Sequence, residues 1–147
     1  MYSGFTSVLV DDEMVDQFYG TEAVVLDEDL VKNQKIKLQP NQYIMLVSSS
    51  NEKKTALCRF STHYQAVQPL FKPTPQWGIE SRNKEQSFAL DLLWDESVPL
   101  VTLIGGAGTG KTLLAILAGI EQTIMHGSEG TYRRILISRP VQPMGKD

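Results

Sequence analysis

The 147-residue chain has a single cysteine, Cys58, which excludes an intramolecular disulfide and a cysteine-based zinc site. Lying between β-prone neighbours, it reads as a buried, inert thiol. A long hydrophobic run is missing as well. The most apolar stretch is broken at Gly105 and again at Lys111, well short of the roughly 18 residues a membrane helix requires. No membrane span is expected. The start, MYSGFTSVLVDDEM, lacks the basic opening, apolar centre and small-residue cleavage site of a secretory signal, so the expected location is cytoplasmic. Charge of one sign does not accumulate. Residues 1–74 carry seven basic and nine acidic side chains and residues 75–147 seven and eight, for a net charge of −3. Nucleic-acid affinity is mostly phosphate neutralisation and leaves a basic stripe. None is present, and the composition gives no support for strong nucleic-acid binding by this chain alone. Internal repeats and low-complexity tracts are absent.

What is there begins with 41% hydrophobic and 21% charged residues, the balance of a soluble globular protein. The densest cluster of chain breakers is PLFKPTPQWG over residues 69–78, with three prolines and a glycine. It reads as a linker, placed at 73–78. Ahead of it the signals are those of strands: GFTSVLV at 4–10, EAVVLD at 22–27, and two β-prone runs at 43–48 and 55–60. The last two flank the polar SSNEKK, a hairpin pattern with a longer loop. DDEMVDQFY at 11–19 suits a short helix with acidic residues in its first turn. A metal site on that DDE is the competing reading. Residues 1–72 are expected to form a small β-rich domain or connector.

From 79 to 147 helix and strand alternate. Ser81 is placed to N-cap SRNKEQSFALDLLWDE, because a hydroxyl there accepts from the first free amides. VPLVTLIG is a nearly continuous apolar run, as a strand covered on both faces of a parallel sheet would be. KTLLAILAGIEQTIMHG reads as a helix ending at Gly127, and RRILISRP as a second buried strand stopped by Pro140. The expected fold class is α/β: the front of a parallel sheet of the P-loop NTPase kind, preceded by a small β-rich domain.

Between the first of those strands and the helix stand Gly105, Gly106, Ala107, Gly108, Thr109, Gly110, Lys111 and Thr112, which satisfy G-x-x-x-x-G-K-[ST] in its required context. Glycines permit positive φ and keep side chains away from amides that converge on phosphate oxygens. The amides, the positive end of the helix dipole and the Lys111 ammonium together favour a group with several negative charges. Thr112 is placed to coordinate Mg²⁺ through its hydroxyl. A redox dinucleotide loop is disfavoured, since no acidic residue ends the next strand, where ribose binding needs one.

GIESRNKEQ at 78–86, LVTLIGGAGTGKTLLA around the loop, and RRILISRPVQPMGKD at 133–147 occur in the order and spacing of a known family. On these three pieces the second half of the chain resembles the PhoH-like ATPases, relatives of superfamily one helicases. YIMLVSSSNEKKTALCRFS also resembles the region that precedes the ATPase core in the subgroup with an upstream PIN nuclease domain. The resemblance implies ATP as ligand, with Mg²⁺ and with Lys111 as a catalytic group. It implies that Gln86 reads the adenine edge, for which a side-chain amide has the matching donor and acceptor. An ordinary polar helix position is the other reading of Gln86. It further implies that Arg139 meets the backbone of single-stranded RNA in the whole protein, against a structural salt bridge as the alternative. Relatives often work as rings, so a homo-oligomer is a further expectation.

Phosphoryl transfer also needs a carboxylate on a later strand to hold Mg²⁺ and a group that orients water. After Lys111 the acidic residues are Glu121, Glu129 and Asp147, and none ends an apolar strand. The expectation is an ATP-binding portion that stops before the Walker B strand and does not turn over nucleotide alone. The rival of another class is a nucleic-acid or protein binding module centred on residues 1–72.

Overall fold

FTSVLV, YIMLVS and TALCRFS are rich in β-branched, aromatic and other apolar residues, and each of these runs forms a strand whose burial alternates along much of its length. The computed structural model describes residues 4–20, 24–25, 37–61, 66–71, 80–125 and 130–138. They divide between two units, Met1–Asp91 and Leu92–Asp147. The expected linker at 73–78, the helix end at Gly127 and Arg139 lie outside the described residues. Among those described, no helix is long and apolar enough to cross a membrane.

In the first unit the elements run β1 (Phe5–Val10), α1 (Asp12–Gly20), β2 (Val24–Val25), β3 (Tyr43–Ser48), β4 (Thr55–Ser61), β5 (Ala66–Pro69) and the start of α2 (Lys84–Trp94). The five strands make one sheet in the order β1-β3-β4-β5-β2. β1 and β3 are parallel, while β3 with β4, β4 with β5, and β2 with β5 are antiparallel. The β3–β4 hairpin follows the bounds expected from its sequence to within a residue.

Because strand side chains alternate between faces, Val8, Val10, Ile44, Leu46, Ala56, Cys58 and Phe60 point to one side. Val15 and Phe18 of α1, three residues apart, complete that core together with Val67. Cys58 is fully buried and its thiol donates to the Ile44 carbonyl at 3.4 Å. Burial pushes the Cys58 thiol far above its ordinary pKa, and it is the thiolate that reacts. A thiol-specific reagent is expected to leave the native chain unlabelled and to label Cys58 once denaturant unfolds the first unit. Following absorbance against denaturant concentration checks this.

The first turns of α1 are tied to the end of β3 and the loop after it. Asp12 accepts from the hydroxyls of Ser48 and, at 2.6 Å, Ser50. Lys54 lies 3.7 Å from Asp12 and 2.8 Å from Asp16. Chiefly through the Ser48 hydroxyl, then through Ser50 and Lys54, the Asp12 carboxyl is held below its ordinary pKa. A depressed carboxylate contributes stability above its unfolded pKa, and that contribution is lost as pH falls through the folded value. An NMR titration of the Asp12 carboxyl carbon is expected to show a midpoint below that of an ordinary aspartate. In Ser48→Ala the midpoint should move back up.

On the opposite face Tyr43 and Arg59 are cross-strand partners, and α2 lies over them. Phe88 stacks on Tyr43 with ring centroids 4.2 Å apart. Lys84, one helical turn earlier, sits over the Phe5 ring at 4.5 Å. Residues 84, 88 and 91 share one helix face, so the third of them, Asp91, is carried down onto the sheet as well.

The helix start differs from expectation. Asn83, rather than Ser81, is the N-cap: its Oδ1 accepts from the Gln86 amide at 2.9 Å, and Gln86 Oε1 accepts from the Arg82 amide at 2.8 Å. An Asn-x-x-Gln pair satisfies donors on both sides of the first turn, which a lone serine two residues earlier cannot do. The Ser81 hydroxyl instead accepts from Ser87 at 2.9 Å.

In the second unit, α3 (Lys111–Ile120) continues into a wider π-type turn, Glu121–Met125. Gln122 Nε2 donates to the carbonyls of Leu93 (2.9 Å) and Ala118 (3.0 Å). The Gln122 carbonyl accepts from the Tyr132 amide at 3.0 Å. The two segments expected as buried strands, around 98–104 and 133–138, have no strand ladder. Leu100, Ile104, Leu136 and Ile137 are 81, 92, 82 and 66% exposed. Hydropathy selects residues able to fill a covered strand, but a strand exists only when a neighbour takes up its amides and carbonyls. Among the described residues neither segment has such a neighbour.

Candidate functional site

The glycine pattern at 105–112 translates directly into backbone geometry. Gly108 and Gly110 have φ of 74° and 86°, in the left-handed region that residues with a Cβ rarely enter. A Cβ on Gly105 would stand 3.4 Å from the Thr109 hydroxyl and 3.8 Å from Lys111 Cδ. The loop thus turns tightly and delivers the chain into α3, whose first described bond runs from the Leu114 amide to the Gly110 carbonyl at 2.9 Å. Gly110 provides no side-chain cap. Amides at the head of a helix without such a cap keep their donors, and the helix dipole adds partial positive charge at the same point.

Lys111 turns back over the loop. Its ammonium donates to the Gly106 carbonyl at 2.5 Å and to the Thr109 hydroxyl at 3.1 Å, while that hydroxyl donates to the same carbonyl at 3.0 Å. Residues 105–109 and Thr112 are exposed. The loop therefore presents backbone amides and one cation to solvent, an arrangement suited to a small polyanion.

Gln86 lies in the first turn of α2, half-buried, with its carbonyl oxygen engaged at the helix start. Reasoning from sequence missed the group that fastens this helix. Asp91 is 3% exposed; its Oδ2 accepts from the Tyr43 hydroxyl at 2.8 Å and lies 3.3 Å from Arg59 Nε, and its Oδ1 accepts from the Phe71 amide at 2.8 Å. The signal was available: an acid three residues after Phe88, flanked in sequence by Leu90 and Leu92, lies on the helix face that carries Phe88.

A glycine loop with two left-handed residues, opening a lysine-led helix on an α/β chain, defines a P-loop protein. Residues 78–147 match the family described as PhoH-like protein, a P-loop ATPase family. Over its whole length the chain is similar to Protein PhoH2 of Bacillus subtilis (strain 168): 36% identical over 148 residues, covering 100% of this chain and 32% of that protein. Protein PhoH2 of Mycolicibacterium smegmatis is 45% identical over 69 residues, 47% of this chain and 15% of the relative. The chain thus spans at most about a third of the length of the curated relatives it matches. No solved structure matches it.

Proposed function

We propose that this chain is the ATP-binding part of a P-loop ATPase, and that the complete protein couples hydrolysis to the unwinding or processing of RNA. The observation that carries the binding reading is the loop itself: uncapped helix-start amides and the Lys111 ammonium gathered on one short, exposed, glycine-shaped turn. Thr112 offers an exposed hydroxyl at the head of α3, a hard oxygen donor of the kind Mg²⁺ selects. Among the described residues no group of three His, Cys, Asp or Glu is placed to hold a metal ion. Mg²⁺ typically keeps several waters and binds substrate phosphate oxygens beside one or two protein oxygens. When bound, Mg²⁺ supplies neutralisation of phosphate charge. The roles of Gln86 toward adenine and of Arg139 toward single-stranded RNA rest on the family resemblance.

Equilibrium binding of ATP with Mg²⁺ to the wild-type chain and to Lys111→Ala tests the reading. Saturable binding that weakens in the variant supports it, and equal affinity in the two rejects it.

A further inference from the structure

We infer that the Thr109 hydroxyl is the positioning group that aims Lys111, an inference that rests on the phosphate-binding reading above. A lysine side chain carries its charge on a flexible four-carbon stem with many rotamers, so its ammonium is aimed only if something nearby holds it. Here two oxygens do so, the Gly106 carbonyl at 2.5 Å and Thr109 Oγ1 at 3.1 Å.

The two holders are not independent. A hydroxyl has one proton, and that of Thr109 goes to the Gly106 carbonyl at 3.0 Å, so toward Lys111 the oxygen acts as an acceptor. The Gly106 carbonyl, the Thr109 hydroxyl and the Lys111 ammonium form a closed ring whose direction is set by that single proton. Threonine's branched Cβ restricts χ1, so the hydroxyl is held near the position the ring needs. Gly105 borders the ring: a Cβ there would come into ordinary van der Waals contact with the Thr109 hydroxyl at 3.4 Å and the lysine stem at 3.8 Å. Two of the ammonium's three N–H groups are committed to the ring, and the third is left for an anion. The ligand class this suits is an oligophosphate, recognised through its phosphate chain whatever base it carries.

The test is a double-mutant cycle read by calorimetric affinity for ATP and for inorganic tripolyphosphate, on the 147-residue chain. Thr109→Val keeps the shape and removes the hydroxyl; it is expected to weaken both ligands by about three- to tenfold, the loss of one ordinary hydrogen bond. Thr109→Ser, which restores the hydroxyl, should lie within about twofold of wild type. On a Lys111→Ala background Thr109→Val should have no further effect, because a group acting only through the lysine has nothing left to position. Wild-type affinity in Thr109→Val, or the same loss with and without Lys111, overturns the inference while leaving the phosphate reading in place. Unchanged affinity in Lys111→Ala overturns the phosphate reading and this inference with it.

Discussion

Affinity for ATP with Mg²⁺ is expected to fall by about tenfold to a hundredfold when Lys111 becomes alanine, the range for losing a hydrogen bond to a charged partner at about 1.4 kcal/mol per decade. The physical reason lies in what remains. Helix-start amides and the dipole contribute partial charges only, whereas Lys111 is the one full positive charge within the loop at 105–112. The fold should not suffer, because among the described residues the side chain bonds to its own loop alone, at the Gly106 carbonyl and the Thr109 hydroxyl. Circular dichroism of wild type and variant should superimpose while the binding isotherms separate. Raising the salt concentration should narrow the difference, since an exposed ammonium is screened.

The second large effect is on stability. Asp91→Ala is expected to destabilise the first unit by about 3–5 kcal/mol, the cost of removing one partner from a buried ion pair. The carboxylate joins three parts of the chain to α2: β3 through Tyr43, β4 through Arg59, and the segment after β5 through the Phe71 amide. Removing it takes away a carboxylate 3.3 Å from the guanidinium of Arg59, whose side chain is 15% exposed. For a unit of this size the loss corresponds to a drop in melting temperature of at least about 12 °C. Asp91→Asn retains an acceptor for the Phe71 amide and the Tyr43 hydroxyl but not the charge, and should fall between the two. Thermal melts followed by far-ultraviolet circular dichroism measure the series. A melting temperature for Asp91→Ala within about 3 °C of wild type would show that the carboxylate contributes less than a buried pair does.

Some of this was legible along the chain because it is set locally. The β3–β4 hairpin follows from two β-prone runs around a polar loop, and α1 from an acidic first turn followed by apolar residues three apart. The positive φ values of Gly108 and Gly110 follow from the only residue type that enters that region without strain. Other features depended on partners far away in sequence. Ser81 and Asn83 both have N-cap chemistry; Gln86, reaching back to the Arg82 amide, decides in favour of Asn83. The apolar runs around 98–104 and 133–138 have the composition of buried strands, yet composition cannot supply the neighbour that makes an extended segment into a strand. Asp91 was visible as an acid on the helix face that carries Phe88. Its three acceptor contacts come from residues 20 to 48 positions away.

By itself, the sequence determined the phosphate loop, its two left-handed glycines and the lysine that heads α3, since these depend on Cβ sterics, charge and a spacing of a few residues. The tertiary structure alone decided that α2 is fastened to the sheet through Asp91, that β1 runs parallel to β3, and that Lys111 is held in a ring with Thr109 and Gly106. Those features arise from groups meeting in space. Sequence spacing fixes which residues share a helix turn or a strand face, whereas the surface that an element meets is set by the energetics of the whole fold.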